Sequence, residues 1–155
     1  MPGTVALTSL QTGHVGLNVT DLDRSAAFYR TLLGLDLASE GTEEGRRFAF
    51  LARDGRLVIT LWQQSTGSFA TSAPGLHHLS FQVDSLEEVR AAERTLRELG
   101  AEFAYEGVVP HSEGAASGGI FFTDPDGIRL EIFTPEGIGE TGATAPTTAP
   151  TCGFF

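Results

Sequence analysis

The sequence repeats itself. His14-Val-Gly-Leu-Asn-Val is followed by Thr-Asp-Leu-Asp-Arg-Ser and a run with helical spacing. Sixty-four positions later His78-Leu-Ser-Phe-Gln-Val is followed by Asp-Ser-Leu-Glu-Glu-Val and a second such run. The two copies also close alike. Asp54-Gly55 leads into Arg-Leu-Val-Ile-Thr-Leu-Trp62, and Asp126-Gly127 into Ile-Arg-Leu-Glu-Ile-Phe133. Units of this size are too small to bury a core alone, so two copies must share one. A histidine opening each copy further suggests a site built at a pseudo-twofold axis.

Periodicity supplies the elements. In residues 14–19, Val15, Leu17 and Val19 alternate with His14, Gly16 and Asn18, as in a half-buried strand. Thr20 or Asp21 can cap a helix over 22–33, with Leu22, Ala26, Tyr29, Leu32 and Leu33 on its apolar side and Gly34 as its stop. Strands are expected over 35–39, 46–53 and 56–64, the last two joined by the Asp54-Gly55 hairpin signal. The second copy predicts a strand over 78–83, a helix over 86–99 stopped by Gly100, and strands over 102–106, 119–123 and 128–134. The turn Asp124-Pro-Asp-Gly127 separates the last two, and residues 108–118 form a longer loop over one mouth of the sheet.

The expected class is therefore α+β. Two βαβββ modules form a cupped mixed sheet, with helices on the outer face. The divisions are a leader at 1–11, module 1 at 12–64, a linker at 65–75, module 2 at 76–136 and a C-terminal tail at 137–155. That tail is rich in Thr, Ala, Gly and Pro and is read as flexible or loosely draped.

Charge and cysteine count narrow the function classes. The net charge is −10, and all ten basic residues are arginine. An acidic surface without a basic patch argues against nucleic acid and anionic membrane as partners. No apolar run is long enough to span a bilayer. The first twelve residues show neither the charged nor the apolar region of a secretory signal, so a cytoplasmic location is expected. Cys152 is the single cysteine, which excludes an intrachain disulfide or a multi-thiolate metal site.

Strand alternation aims the candidate ligands. His14 and His78 point away from the apolar faces of their strands. In 128–134, Ile128, Leu130 and Ile132 share one face, which leaves Arg129, Glu131 and Phe133 on the other. Two imidazoles and one carboxylate make a facial triad with open positions, a donor set suited to Fe(II), Mn(II) or a similar divalent ion. By the same alternation Trp62, Phe121 and Phe133 face the metal side, with Phe48 or Phe50 nearby. Such a wall suits a flat aromatic substrate. Arg129 lies on the Glu131 face, where it can contact an anionic group; Arg47 is a second candidate. His77 is expected on the opposite face from His78.

Over residues 12–136 the chain resembles the vicinal oxygen chelate superfamily, which contains glyoxalase I, fosfomycin-resistance enzymes, extradiol dioxygenases and antibiotic-binding proteins. The carriers are the run from His14 to Leu35, His78-Leu-Ser-Phe-Gln-Val, and Phe122-Thr-Asp-Pro-Asp-Gly-Ile-Arg-Leu-Glu131. The resemblance implies that His14, His78 and Glu131 are the metal ligands. The family's fourth ligand position falls on Thr60, a poor donor, which weakens a glyoxalase or epimerase reading. Thr60 is kept with Trp62, Phe121, Phe133 and Arg129 as a substrate-contacting candidate. His111, twenty residues before Glu131, resembles the loop histidine that serves extradiol chemistry, where a neutral imidazole takes a catechol proton or holds activated oxygen. Gly16 stands where fosfomycin-type enzymes have threonine, and Phe121 near where both enzyme groups have tyrosine.

The expectation is an Fe(II)-dependent extradiol dioxygenase acting with O2 on a small catechol. Among relatives it is most like the small single-chain enzymes that open catecholic amino acids such as L-DOPA. A fosfomycin-type thiol transferase or other metal-dependent lyase or isomerase, using Mn(II) or another divalent ion, is the alternative. A non-catalytic antibiotic-binding resistance protein is the third. The family also implies a homodimer, with the metal site either inside one chain or shared between two.

Overall fold

The computed structural model describes Gly3, residues 6–145 and Phe154. Module 1 runs β1 (Val15–Val19), α1 (Leu22–Leu33), β2 (Asp36–Gly41), β3 (Phe48–Arg53) and β4 (Arg56–Gln63). Module 2 runs β5 (Leu79–Gln82), α2 (Leu86–Glu98), β6 (Val109–Pro110), β7 (Gly118–Thr123) and β8 (Arg129–Thr134), followed by a 3₁₀ turn at Ile138–Thr141. The strands form two four-stranded sheets, ordered β1-β4-β3-β2 and β5-β8-β7-β6. In each, the first strand pairs parallel with the last and the other pairings are antiparallel. This is the mixed α+β architecture of two related βαβββ units.

Local chemistry sets the element ends. Asp21 caps α1 by accepting from the Arg24 amide, and Gly34 ends it at φ 63°, its N–H returning to the Arg30 carbonyl. Ser85 and Glu88 form a capping box on α2. The Ser85 hydroxyl accepts from the Glu88 amide, and the Glu88 carboxylate accepts from the Ser85 hydroxyl and the Asp84 amide. Asp54 and Gly55 both adopt positive φ, 51° and 76°, the two-residue turn whose twist suits a hairpin.

One core joins the modules. Leu17, Val19, Ile59, Leu61 and Leu51 from the first sheet meet Ile120, Phe122, Leu130 and Ile132 from the second, with Phe28, Tyr29, Val89 and Leu96 from the helices between them. The helices thus pack on the sheet faces opposite those that carry Glu131 and Trp62. A polar seam adds register. The Tyr29 hydroxyl donates to Asp124 at 2.7 Å, while the Thr20 amide and Arg24 both reach Asp126. The Asp124–Gly127 turn of module 2 is thereby fastened to the start of α1 in module 1.

One stretch differs from the sequence expectation. The strand expected over 102–106 is reduced to a single bridge, Phe103 to Phe122, and the fourth strand is instead the short β6. Gly107, at φ 72°, turns the chain between them. Beyond module 2, Ile138 lies in a 3₁₀ turn at 1% exposure and Phe154 lies against the second sheet at 7% exposure. Residues 146–153, including Cys152, and the start of the leader lie outside the described residues. Among the described residues no helix is long and apolar enough to cross a membrane.

Candidate functional site

Register in the second sheet places the chemistry. Ser80 pairs with Glu131 and Phe121 with Glu131, while Gln82 and Gly119 flank Phe133. These residues share the face turned away from the helices, and Leu130 and Ile132 point into the core. Glu131 is therefore a carboxylate in a sheet interior, 3% exposed, and it must find partners there. It finds two imidazoles. His111 Nε2 lies 2.9 Å from Glu131 Oε1, and His78 Nε2 lies 3.6 Å from Oε2.

His111 is held at both ring nitrogens. Its Nδ1 is 2.9 Å from the Ser117 hydroxyl, and its amide donates to the Ser117 carbonyl. Ser117 therefore closes the loop that carries His111 and orients the ring. Phe133 and Phe121 stand beside that ring, with centroids 5.3 and 6.2 Å away. Burial lowers the pKa of His78. The Glu131 charge opposes that shift, while His77 and Arg129 reinforce it. The net shift favours the neutral imidazole, the form a metal requires.

His77 is placed differently from the sequence expectation. Its Nδ1 lies 2.8 Å from His78 Nδ1 instead of on the opposite face. The physical reason is that β5 begins at Leu79, so alternation does not govern the two histidines ahead of it. If His78 presents Nε2 to a metal, its Nδ1–H donates to His77, which fixes the tautomer.

His14 stands apart. It precedes β1, is exposed, and makes no hydrogen bond or ion pair with His78 or Glu131. Among the described residues no three His, Cys, Asp or Glu side chains converge on a point that could hold a metal ion. His78 and Glu131 offer two suitable donors on one face. A third must come from elsewhere.

The corresponding face of the first sheet is aromatic. Trp62 packs on Phe48 and Phe50, with centroids 5.5 and 5.7 Å away, and remains 36% exposed. Its indole N–H donates to the Thr60 hydroxyl at 2.9 Å. Thr60 lies beneath it at 1% exposure, so Trp62 is the residue of that pair offered to a ligand. Gly16 pairs with Thr60, and a Cβ there would sit 3.2 Å from the hydroxyl. Arg47 is bound to Asp23 and is not part of the site. Arg129 stacks on Phe154, its Cζ 5.5 Å from the ring centroid.

A groove of about 790 Å³ lies elsewhere, lined by Arg24, Phe28, Leu99, Asp124 and Asp126. Its Arg24, Asp124 and Asp126 side chains are paired within the intermodule seam, and no imidazole lines it. We assign it to that seam.

The sequence profile of the Glyoxalase/Bleomycin resistance protein/Dioxygenase superfamily matches residues 11–132. The chain belongs to that superfamily. It is 31% identical over 139 residues to the trivalent organoarsenical cleaving enzyme of Bacillus sp. (strain MD1), covering 90% of this chain and 80% of that protein. It is 24% identical over 124 residues to the catechol-2,3-dioxygenase of Bacillus subtilis (strain 168), covering 78% of this chain and 40% of that protein. In fold it matches the fosfomycin resistance protein FosX of Listeria monocytogenes, solved with Mn(II) and sulfate. That match has a TM-score of 0.60 at 23% identity and covers 83% of this chain and 93% of that one.

Proposed function

We propose that this protein is an Fe(II)-dependent oxygenase that opens the ring of a small catechol. The observation that carries this reading is Glu131. A buried carboxylate sits between two imidazoles, 2.9 and 3.6 Å from its oxygens, on an aromatic-walled sheet face. His78 and Glu131 fit a divalent ion by donor chemistry, with His14 as the third ligand. Bound there, Fe(II) would supply the positions at which a catechol and O2 meet and exchange electrons; Mn(II) and other divalent ions accept the same donors.

The chain's own residues supply the rest. Phe121 and Phe133 exclude water and offer faces and edges to a flat ring. Arg129 adds a cation beside that wall. A catechol that binds through both oxygens must release protons. His111 is the group placed to take one: with Glu131 turned to a bound ion its Nε2 would be free as a lone pair, while Nδ1–H holds to the Ser117 hydroxyl.

The third ligand implies a homodimer. The first sheet leaves Trp62 partly exposed on a face with Phe48 and Phe50, with His14 at its edge, and the corresponding face of the second sheet carries His78 and Glu131. We infer that His14 of one copy completes the site on the second sheet of another.

Cleavage of a carbon–arsenic bond is a second reading, favoured by the 31% identity to the arsenical enzyme. Trivalent arsenic is a soft centre that seeks thiolates, and this chain has one cysteine, so capture by two thiolates has no basis within one copy.

The test is O2 uptake by anaerobically prepared, Fe(II)-loaded protein on addition of a catechol panel that includes L-DOPA, with absorbance followed for a yellow ring-opened product. Stoichiometric uptake, lost in His14→Ala, is expected. Bound metal without uptake would overturn the reading and direct the work to Mn(II), fosfomycin and thiols, and to trivalent methyl- and phenylarsenicals.

A further inference from the structure

The second sheet already holds an aromatic ring, and the ring is the chain's own. Phe154 is 7% exposed, in a cluster with Val109, Phe121 and Tyr105. It meets Phe121 nearly edge to face, at 5.5 Å and 83°, and its centroid lies 5.7 Å from the His78 ring. The Arg129 guanidinium covers it at 5.5 Å. One ring is thus held by an aromatic edge, an imidazole and a cation.

That combination has a chemical preference. A guanidinium over a ring face is attracted by the negative quadrupole, and the attraction grows as the ring becomes richer in electrons. Phenylalanine is a modest donor. A catechol or other hydroxylated ring is a better one, and a catecholate better still. The contacts suit a ligand ring more than they suit the residue that now fills them.

We propose that the pocket formed by Val109, Tyr105, Phe121, His78 and Arg129 is a binding site for an electron-rich aromatic ring, and that Phe154 is its intramolecular competitor. The proposal deepens the ring-cleavage reading by locating the substrate ring and adding an occupant it must displace. Covalent attachment gives Phe154 an effective concentration on the order of millimolar for a short tether, so a weakly bound ring is excluded and a strongly bound one is not. The apparent affinity for a free ring is the intrinsic affinity reduced by the fraction of molecules in which Phe154 has left. Phe154 therefore acts as a threshold on which rings enter.

The experiment compares wild type with Phe154→Ala in metal-free protein. Catechol is titrated calorimetrically, and circular dichroism verifies the fold of each variant. Phe154→Ala is expected to bind catechol roughly tenfold more tightly. Arg129→Gln in that background should lose most of the gain. In Phe154→Trp, the added indole emission, read against wild type, should shift to the red as catechol drives it into water. Equal or weaker binding by Phe154→Ala would overturn the proposal, because Phe154 would then lie outside the ligand's place or form part of its wall. Absence of catechol binding in both folded proteins would overturn it as well. Tight binding by Phe154→Ala with no O2 uptake after Fe(II) loading would sustain the ring site and sink the ring-cleavage reading.

Discussion

Two side chains test the chemistry at the residue scale. His111 Nε2 faces the Glu131 carboxylate, and Ser117 anchors the ring at Nδ1. If its role is proton transfer, His111→Ala should keep bound iron and catechol affinity. It should lose about 10²-fold or more in the rate of catechol-dependent O2 uptake. An unchanged rate would remove that role. Asp124 tests the intermodule seam. It accepts from the Tyr29 hydroxyl and from the amides of Asp126 and Ile128. Burial nevertheless raises its pKa from 3.8, with the Asp126 charge adding to the rise and the three hydrogen bonds only partly offsetting it. The folded state therefore binds this proton more tightly than the unfolded state. The associated stability is present below pH 3.8 and is lost as pH rises through the folded value. Asp124→Asn keeps the two amide contacts and can donate to Tyr29, so it should flatten that slope in denaturant titrations between pH 3 and 7. Asp124→Ala strands three donors and should cost on the order of 3 kcal/mol. Legibility divides the site residues here. Alternation aimed Glu131, Phe121 and Phe133 from sequence because all three lie inside strands. It could not aim His77, which lies ahead of one. Ser117 and Phe154 act through loop closure and tail placement, which no local pattern encodes.

The strongest constraint at the scale of elements is how closely β7 runs between its neighbours. A Cβ on Gly119 would lie 2.0 Å from the Ile132 carbonyl oxygen and 2.6 Å from the Phe133 Cα, both backbone atoms of β8. Neither can move without shifting the strand that carries Glu131. Gly119→Ala should therefore cost about 3 kcal/mol by chemical denaturation and should weaken metal binding as well. Gly139→Ala, where nothing lies within 4 Å, is the matched control and should stay within about 0.5 kcal/mol of wild type. Most elements could be read from their ends: Asp21 and Gly34 around α1, Gly100 after α2, and Asp54-Gly55 between β3 and β4. The exception lies between α2 and β7. Phe103 and Tyr105 alternate like strand residues, yet both turn toward aromatic neighbours, Phe103 to Phe122 and Tyr105 to Phe121. The pairing partner of β7 is Val109–Pro110, two residues whose proline hides them from a strand pattern.

The repeat predicted two related modules, and at the scale of the whole molecule it could not say which faces meet. Apolar residues from both sheets and both helices are consumed in one shared core, so the remaining face of each sheet lies away from that core, and the second is covered by Phe154 and the His111 loop. That arrangement separates His14 from His78 and Glu131 and leaves Trp62 partly exposed. A second copy would offer a complementary face in both directions at once if a twofold pairing set the first sheet of each chain against the second sheet of the other. Complementation decides the matter. His14→Ala and Glu131→Gln should each abolish Fe(II)-dependent activity as homodimers. If sites are shared, a coexpressed mixture contains heterodimers in which one site receives both lesions and the other receives none. Random pairing then restores roughly a quarter of wild-type sites. If each chain builds its own site, every site in the mixture carries one lesion and nothing is restored. Metal content measured beside activity separates a failure to assemble from a failure to bind iron, and sedimentation of the mixture verifies that the copies exchanged. Restored activity near a quarter would place His14 across the interface. A silent mixture of well-formed dimers would instead place His14 and Glu131 of each site within the same chain.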